Sequence, residues 1–363
     1  MILPTLYKTT KTGAIQVCSI SFFGGTFTVE WGQQNGAMQL KTTQCKSLNV
    51  GKSNETTPSE QAEKEARAKW ASKVKTGYSE DVTAPVTVRL PMKVGVWPPK
   101  KKLDEILIST PKFNGVNGTY RLEKDILNLY SRGGELLPAV PHLEKEVRQV
   151  MQLVKSKELN GELYIHGEHL QDITSAVKKP KDLSKELEFC IFDIADSNLP
   201  YSERRVLLQR VTATIPLGYI QILTGVLCKD YEAIEEHFNR CISLNYEGTV
   251  IKTFDNVYKH NIRSSTQWKY KKALDAEYLI RSMNIDKNGH PVFICSAGPN
   301  LGDFKVKPKG TDEERKQIVK DFDTIYNNQW YKVEYEMLSK DAIPLKPVGI
   351  GLRTCTEEGT PTI

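Results

Sequence analysis

The 363-residue chain lacks the features that mark disulfide-stapled, zinc-binding and membrane-spanning proteins. Its seven cysteines are scattered, odd in number and form no C-x-x-C pair, which argues against a disulfide framework and against a zinc site. No apolar run is long enough to cross a membrane, and the first residues show no signal-peptide pattern. There is no internal repeat and no low-complexity segment. Together these absences favour a globular protein of a reducing cytoplasm.

Size and charge set only broad limits. The chain is long enough for two or three domains. Hydrophobic residues make up 39% of it and charged residues 26%, which is an ordinary soluble composition. The net charge of +6 and the isoelectric point of about 8.7 are mildly basic. That charge is compatible with a phosphate-rich partner but does not identify one.

Residues 1 to about 78 have the pattern of a small separate module. Alternating runs on both sides of the glycine pair at 24–25 predict a β-hairpin. The segment Thr57–Glu60 combines a capping residue, a proline at the first helical position and a glutamate three residues after the cap. Apolar residues at every fourth position, from Ala62 to Val74, predict a helix with one buried face that ends near Gly77. The rest of this helix is basic.

Downstream, residues 79–91 show no helical or strand period and are typical of a linker, and strands and helices alternate from 112 to 272. The patterns in this part predict helices over 141–156 and 231–243, and strands over 161–167, 188–194 and 249–253. From 273 the pattern changes to short strands, at 276–285, 291–297 and 330–337, with one helix that opens at Thr311 and runs to about 326. Short strands with a single helix favour a small barrel.

One short stretch, Pro111–Gly118, combines features that would let a lysine act as a covalent nucleophile. Lys112 follows an extended-looking run, and the glycines at 115 and 118 let the backbone approach a bound group closely. A lysine amine can act as a nucleophile once it has lost its proton, and neighbouring cations or a metal ion would assist that loss. By itself the stretch is weak evidence, because a lysine beside a turn is usually a solvated surface residue.

The segments that follow this stretch give it meaning. Five of them come at plausible intervals: Ser131–Glu135, Asn160–Tyr164, Phe189–Asp193, Tyr246–Lys252 and Trp268–Lys271. The series resembles the motifs of the ATP-dependent DNA ligases, within the covalent nucleotidyltransferases. Segments at 304–307, 310–311 and 347–349 also look like the C-terminal domain of these enzymes.

The resemblance implies an α+β multidomain fold. We expect a nucleotidyltransferase (adenylation) domain over residues 83–272, followed by a C-terminal OB-fold domain over 273–363. Residues 1–82 resemble a WGR domain, a small sheet-plus-helix unit, in Trp31-Gly32, in Gly36 and in the closing segment Lys75–Tyr78. They depart from it at Gln33, where that family has arginine. The residues of this domain that we expect to bind DNA are Lys69, Lys73 and Lys75.

The reaction that the resemblance implies is a three-step ligation with ATP and Mg²⁺. Lys112 would become lysyl-AMP, AMP would pass to a 5′-phosphate at a strand break, and the neighbouring 3′-hydroxyl would displace it. The residues expected to bind the nucleotide are those at motif positions: Lys112, Arg132, Glu162, Phe192, Glu247, Lys252, Lys269 and Lys271. Glu162 and Glu247 would also hold Mg²⁺, and Phe192 would offer a flat apolar face to adenine.

The sequence departs from the ligase pattern in three places. Asn114 stands where aspartate is usual, and Asn117 stands where arginine is usual. The C-terminal basic motif that orients pyrophosphate is poorly formed, with Arg353 as the best candidate and Lys346 as the fallback. We expect the substrate to be nicked duplex DNA. We also expect a monomer without membrane attachment, in the cytoplasm of a bacterial or phage-infected cell.

Two alternatives stay open. One is an RNA ligase of the same superfamily, whereas a capping guanylyltransferase fits the C-terminal segment less well. The other is a non-catalytic protein that binds nicks or ends, in which Asn114 and Asn117 would mark decay. The presence together of Lys112, the two glutamates and the lysines at 269 and 271 favours an enzyme.

Overall fold

The computed structural model describes residues 1–10, 12–82, 89–97, 105–271 and 273–362, and shows an α+β architecture of several sheets. The residues form two compact units. The first unit holds Met1–Lys93, Leu129–Leu136 and Lys259–Ile262, and the second holds Val94–Asn128, Leu137–Tyr258 and Arg263–Ile363. Within the described residues, no helix is both long and apolar enough to span a membrane.

The N-terminal residues form a four-stranded antiparallel sheet covered by one helix. The strands are β1 Leu6–Thr9, β2 Ile15–Phe23, β3 Thr26–Gln33 and β4 Met38–Gln44, in the order β1-β2-β3-β4. The hairpin predicted around residues 24–25 is the β2–β3 connection. Of the predicted linker 79–91, residues 83–88 lie outside the described part of the chain, while Ser79 pairs with Tyr7 of β1.

Helix α1, Pro58–Lys75, forms as its sequence predicts. The backbone N–H of Glu60 donates to the Thr57 hydroxyl, and the backbone N–H of Thr57 donates to the Glu60 carboxylate, so the capping box is complete. The four-residue stripe packs against the core of the sheet through Ala62, Ala66, Trp70 and Val74.

The central part of the chain contains two five-stranded sheets. The strands are β5 Lys93–Val96, β6 Leu107–Lys112, β7 Val116–Glu123, β8 Ile126–Ser131, β9 Glu158–Tyr164, β10 Glu188–Ile194, β11 Ile220–Ile222, β12 Val226–Cys228, β13 Gly248–Thr253 and β14 Arg263–Lys271. One sheet has the order β11-β10-β9-β7-β8 and the other the order β12-β6-β13-β14-β5. The helices are α2 Pro141–Val154, α3 Leu170–Lys178, α4 Tyr201–Thr214 and α5 Tyr231–Ser243.

Two helices of this part were not predicted, and one strand is displaced. Helix α4 turns Arg204 towards the core together with Tyr201, Leu208 and Val211, so its buried face does not read as apolar in the sequence. Helix α3 is short. The strand predicted over 161–167 begins three residues earlier, as β9, because residues 158–160 also pair with β7. The predicted strand over 188–194 and helix over 231–243 are confirmed.

The C-terminal part is a closed barrel of five strands. Its elements are β15 Leu274–Ile285, β16 Pro291–Ser296, β17 Asp303–Pro308, α6 Asp312–Lys320, β18 Trp330–Tyr335, β19 Met337–Leu338, β20 Pro344–Leu345 and β21 Val348–Arg353. The barrel closes in the order β15-β16-β17-β21-β18, and β19 pairs with β20 in a separate small hairpin. Helix α6 opens at the predicted Thr311 cap but ends at Lys320, and a π-helical turn over Phe322–Tyr326 follows it.

Candidate active site

Three neighbouring strands bring the predicted nucleophile together with two other motif residues. Strand β13 lies between β6 and β14, and Gly248 is in register with Lys112 on one side and with Lys271 on the other. The backbone N–H of Glu247 donates to the carbonyl oxygen of Lys112 at 2.9 Å. The pairing of three strands, rather than any local sequence feature, therefore assembles the three side chains.

Glu247 is the hub of this cluster. The ammonium groups of Lys112 and Lys271 each donate to one of its carboxylate oxygens. The three side chains keep 21%, 19% and 12% of their surface exposed, for Lys112, Lys271 and Glu247 respectively, so a ligand can reach all of them. Both cations are thus held by a single anion that solvent also reaches.

Lys269 belongs to the same face of β14 as Lys271, because side chains two residues apart on a strand point the same way. Burial lowers the pKa of Lys269 from its ordinary value. The positive charges of Lys271 and Lys112 lower it further, while Glu336 and Glu247 offset part of this effect. Burial is thus the main cause of the lowered pKa, and the neighbouring lysines add to it.

Two glycines permit the close approaches that build the cluster. A Cβ at Gly115 would lie 2.4 Å from the carbonyl oxygen of Leu163 and 2.8 Å from Cγ of Glu162, so only glycine fits between the nucleophile loop and β9. Gly248 has φ +144°, and a Cβ there would lie 2.2 Å from the carbonyl oxygen of Tyr270. These contacts place Glu162 directly beside the loop that carries Lys112.

Glu162 is half-buried on β9, opposite Asn117 of β7 and Cys190 of β10. Asn117, which replaces the arginine usual in the ligase pattern, donates to the carbonyl oxygen of Gly161 at 3.2 Å. Across the part of the chain that the structure describes, no set of three His, Cys, Asp or Glu side chains converges as a metal site.

Phe192 is set apart by a β-bulge. The register between β10 and β9 shifts between Ile191 and Asp193, so Phe192 is the extra residue of the bulged strand. The side chain of Phe192 is half-buried. The backbone carbonyl oxygen of Phe192 accepts a hydrogen bond from Nζ of Lys252 at 3.1 Å. A bulge of this kind redirects a side chain, which suits a residue that must present a ring to a ligand.

Lys252 itself lies in a second, buried charge cluster. Its Nζ is 3.1 Å from Oδ2 of Asp193, and Nε of Arg204 is 2.6 Å from Oδ1 of the same carboxylate. Burial by itself would raise the pKa of Asp193, but the two cations hold it below its ordinary value. Burial lowers the pKa of Lys252 despite Asp193. The structure does not place Lys252 with Lys112, Lys269 and Lys271, the other lysines predicted to bind the nucleotide, because its ammonium is fully enclosed by protein.

The three remaining cations predicted from the sequence have different surroundings. Arg132 is exposed in the turn after β8 and belongs to the first unit. Arg353 is exposed at the end of β21, in register with Trp330. Lys346 donates to Oε2 of Glu336 at 2.6 Å, and this oxygen is also 3.6 Å from Nζ of Lys271. The fallback candidate Lys346, and not Arg353, is therefore linked to the Lys112 cluster.

Glu336 is the residue that the sequence analysis missed. Glu336 comes directly after β18 and belongs to no ligase motif, so the sequence around it predicts only a strand of the barrel. Burial by itself raises the pKa of Glu336, but the hydrogen bond from Lys346 and the charges of Lys271, Lys346 and Lys269 bring it below the ordinary value. Only the fold brings this carboxylate next to β14.

In the first unit, the three lysines predicted to bind DNA lie on α1. Lys69 is exposed, Nζ of Lys73 lies 4.9 Å from the centre of the Tyr78 ring, and Lys75 forms an ion pair with Glu135. Surface ion pairs of this kind contribute little to stability, so Lys75 can exchange Glu135 for another anion.

Comparisons with known proteins identify DNA ligases as the similar proteins. Residues 99–271 match the family model described as the ATP dependent DNA ligase domain. The DNA ligase of African swine fever virus (strain Badajoz 1971 Vero-adapted) is 27% identical over 349 residues, which cover 90% of this chain and 82% of the viral protein.

Two solved structures share the fold. One is a Lig E DNA ligase, with a TM-score of 0.57 and 17% identity over 72% of this chain and 98% of that one. The other, Pmar-Lig_Pre, has a TM-score of 0.63 and 17% identity over 82% of this chain and 72% of that one. The family match spans the residues that meet around Glu247, and the chain is an ATP-dependent DNA ligase.

Proposed function

We propose that this ligase seals nicks in duplex DNA through lysyl-AMP on Lys112 and then a DNA-adenylate. The observation that carries the proposal is the cluster of Lys112, Lys269 and Lys271 around Glu247, where one amine stands among cations at an open site. Positioning and charge neutralisation dominate the catalysis of phosphoryl transfer. A set of neighbouring, partly exposed lysines meets both needs.

The first step makes a bond between nitrogen and phosphorus. The Lys112 ammonium gives up one proton, its amine attacks the α-phosphorus of ATP, and a second proton leaves as the phosphoramidate forms. The bond from the α-phosphorus to the bridging oxygen breaks, and pyrophosphate departs with its electron pair. Glu247 accepts a hydrogen bond from Nζ, which makes it the nearest acceptor for a departing proton.

The next two steps transfer the adenylate and close the strand. An oxygen of the 5′-phosphate attacks the phosphorus of lysyl-AMP, the bond between nitrogen and phosphorus breaks, and the Lys112 nitrogen takes up the two protons that it lost in the first step. The 3′-hydroxyl then attacks the 5′-phosphorus, loses its proton, and displaces AMP. Lys269, Lys271 and Arg132 would neutralise phosphate charge in these steps.

The adenine and the metal would use different residues. Phe192, presented by the bulge, would stack on adenine, and Lys252 would act on the nucleotide by holding Phe192 in place. Mg²⁺ prefers one or two carboxylates together with substrate phosphates, and the donor chemistry of Glu162 and Glu247 fits this set. When bound, the ion would neutralise negative charge on the phosphates.

The rest of the chain would hold the DNA. We infer an adenylation domain over 83–272, an OB-fold over 273–363 and a WGR-like domain over 1–82. The closed five-stranded barrel supports the OB-fold, and the four-stranded sheet with one helix supports the third assignment. We further propose that the substrate is nicked duplex DNA and that the protein is a monomer. It would act in the reducing cytoplasm of a bacterial or phage-infected cell.

The decisive experiment incubates the protein with α-labelled ATP and Mg²⁺, and then with nicked DNA and nicked RNA in separate reactions. We expect labelled protein, loss of the label when nicked DNA is added, and sealed product. Sealing of nicked RNA alone would instead identify an RNA ligase. Binding of the nick without labelling of the protein would identify a non-catalytic protein.

The contribution of α1 can be tested in the full chain. Replacing Lys69, Lys73 and Lys75 with glutamine should weaken nick binding and flatten the log–log salt dependence by about 0.9 for each lost phosphate contact. The matched control replaces the exposed lysines 41, 46 and 52 of the same module. Equal slopes for wild-type protein and the α1 variant would remove these lysines from the DNA interface.

A further inference from the structure

A short hairpin of the C-terminal barrel reaches the lysine cluster. We call residues 336–346, which contain β19 and β20, the 336–346 hairpin. It contacts the adenylation domain in three places. Glu336 lies 3.6 Å from Lys271, Sδ of Met337 accepts from Nδ2 of Asn114 at 3.5 Å, and Lys340 lies 4.0 Å from Asp172.

The first of these contacts extends the charge cluster into a chain of alternating signs. Lys112 and Lys271 share Glu247, Lys271 also faces Glu336, and Glu336 is bonded to Lys346. With Lys269 nearby, four lysines surround two carboxylates. Glu336 therefore lies where an anionic ligand could bind, between Lys271 of the adenylation domain and Lys346 of the barrel domain.

Nothing in the fold of the barrel requires a carboxylate at this point. Glu336 follows the last residue of β18, its side chain keeps 34% of its surface exposed, and its ion-pair partners are both lysines that a ligand can also reach. A half-exposed pair of this kind is weak and exchangeable. Lysines that release a weakly held carboxylate can bind phosphate oxygens instead.

We propose that Glu336 is a built-in anion that closes the 336–346 hairpin over the lysine cluster and competes with nucleotide phosphates for Lys271 and Lys346. The inference rests on the proposed function for its biological meaning, because the phosphates in question are those of ATP and of pyrophosphate. Binding of the triphosphate displaces the carboxylate, and departure of pyrophosphate lets it return. The same competition limits reversal of the first step, since returning pyrophosphate has to displace Glu336 again.

The direct test measures binding of inorganic pyrophosphate, without metal, to the full-length protein by calorimetry. The variant Glu336→Gln keeps the shape of the side chain and removes its charge. We expect it to bind pyrophosphate about tenfold more tightly than wild-type protein at low salt, and the gain to shrink as salt is added. Glu334→Gln, a charge removal two residues earlier on β18, is the matched control and should leave the affinity unchanged.

A second readout follows formation of lysyl-AMP against ATP concentration. Glu336→Gln should lower the KM for ATP by a factor similar to the gain in pyrophosphate affinity, with kcat changed much less, and Glu336→Asp should restore both values. A role limited to the packing of the hairpin would instead alter stability without separating KM from kcat. The thermal midpoint of each variant is measured alongside.

The outcomes separate this inference from the proposed function. Unchanged or weaker pyrophosphate binding by Glu336→Gln overturns the inference, even if the wild-type protein forms lysyl-AMP normally. Tighter binding by this variant, with no lysyl-AMP in any protein, supports the competing anion and contradicts the proposed reaction. Tighter binding of the same size in Glu334→Gln shows a general charge effect and also overturns the inference.

Discussion

The second unit of this ligase contains two charge clusters that each join one carboxylate to two cations but differ in their exposure to solvent. In one, Glu247 holds Lys112 and Lys271, and in the other, Asp193 holds Arg204 and Lys252. The side chains of the first keep 12–21% of their surface exposed, and those of the second keep no more than 1%. One carboxylate with two cations is therefore open to a ligand around Glu247 and part of the protein core around Asp193.

The cations of the two clusters differ in how many hydrogen bonds they donate to protein groups. Arg204 also donates to the carbonyl oxygens of Leu199 and Asn256, and Lys252 also donates to that of Phe192. In the open cluster, Lys271 has only carboxylates as its described partners. Saturated, buried cations cannot bind a ligand without unfolding their surroundings, whereas partly exposed ones can exchange an anion of the protein for a phosphate.

The largest expected effect concerns Lys112, the proposed nucleophile, at the edge of the open cluster. Lys112→Ala should abolish the AMP adduct, because it removes the amine that pairs with Glu247 at the end of β6. Mass spectrometry of ATP-treated protein, with peptide mapping, should find AMP on Lys112 in wild-type protein. An adduct of equal yield on another lysine in the variant would falsify this prediction.

The next effect separates activity from stability. Glu247→Ala and Lys271→Ala should each lower the sealing rate about a hundredfold or more, as expected for groups that neutralise charge in phosphoryl transfer. Their free energies of unfolding should stay within about 1 kcal/mol of wild type, since the ion pairs are solvent-accessible. Single-turnover sealing and urea denaturation measure the two quantities. Near wild-type sealing by either variant would remove that residue from the site.

The buried cluster should behave in the opposite way. Arg204→Met should lower the free energy of unfolding by about 3–5 kcal/mol, because it removes one of the two cations that pair with Asp193 and leaves the carbonyl groups of Leu199 and Asn256 without this donor. Arg210→Met, at an exposed position of the same helix α4, is the control and should have little effect. Equal stability of the two variants in urea would mean that burial does not distinguish the clusters.

A substitution at Lys252 tests whether this lysine supports the fold around Phe192 or contacts the nucleotide directly. Lys252→Met should cost about 1–3 kcal/mol of stability, because it removes the donor to Phe192 and Asp193. We also expect a higher KM for ATP, since the bulge that presents Phe192 loses its support. A loss of kcat at full stability and unchanged KM would favour the direct phosphate contact that the sequence suggests.

The smallest effect is expected at Asn114. Asn114→Asp restores the carboxylate usual in the ligase pattern without a change in size, and it gives up only a weak amide donation to the sulfur of Met337. We expect self-adenylation at least as fast as in wild-type protein in rapid-quench measurements. A clear loss of adenylation would show that the amide hydrogen bond to the 336–346 hairpin is needed.

The sequence by itself determined the elements with strong local rules. The capped helix α1 and its apolar stripe, the strand at 188–194, the helix at 231–243 and the Thr311 cap were all predictable, because capping groups and hydrophobic periods act within a few residues. Helix α4 was not predictable, because its buried face includes Arg204, whose partners lie on other elements. The order of the motifs also indicated the ligase family and which residues to expect near Lys112.

Only the tertiary structure decided which charges share a site. Lys252 and Lys271 look alike in the sequence, as lysines at the ends of strand motifs, yet one faces a sealed interior and the other an open edge. Lys346 rather than Arg353 reaches the cluster, through a glutamate that belongs to no motif. The physical reason is that pairing between strands sets distances across the sheet, and burial sets how strongly each charge is held. Both depend on contacts between residues far apart in the chain, which no local pattern encodes.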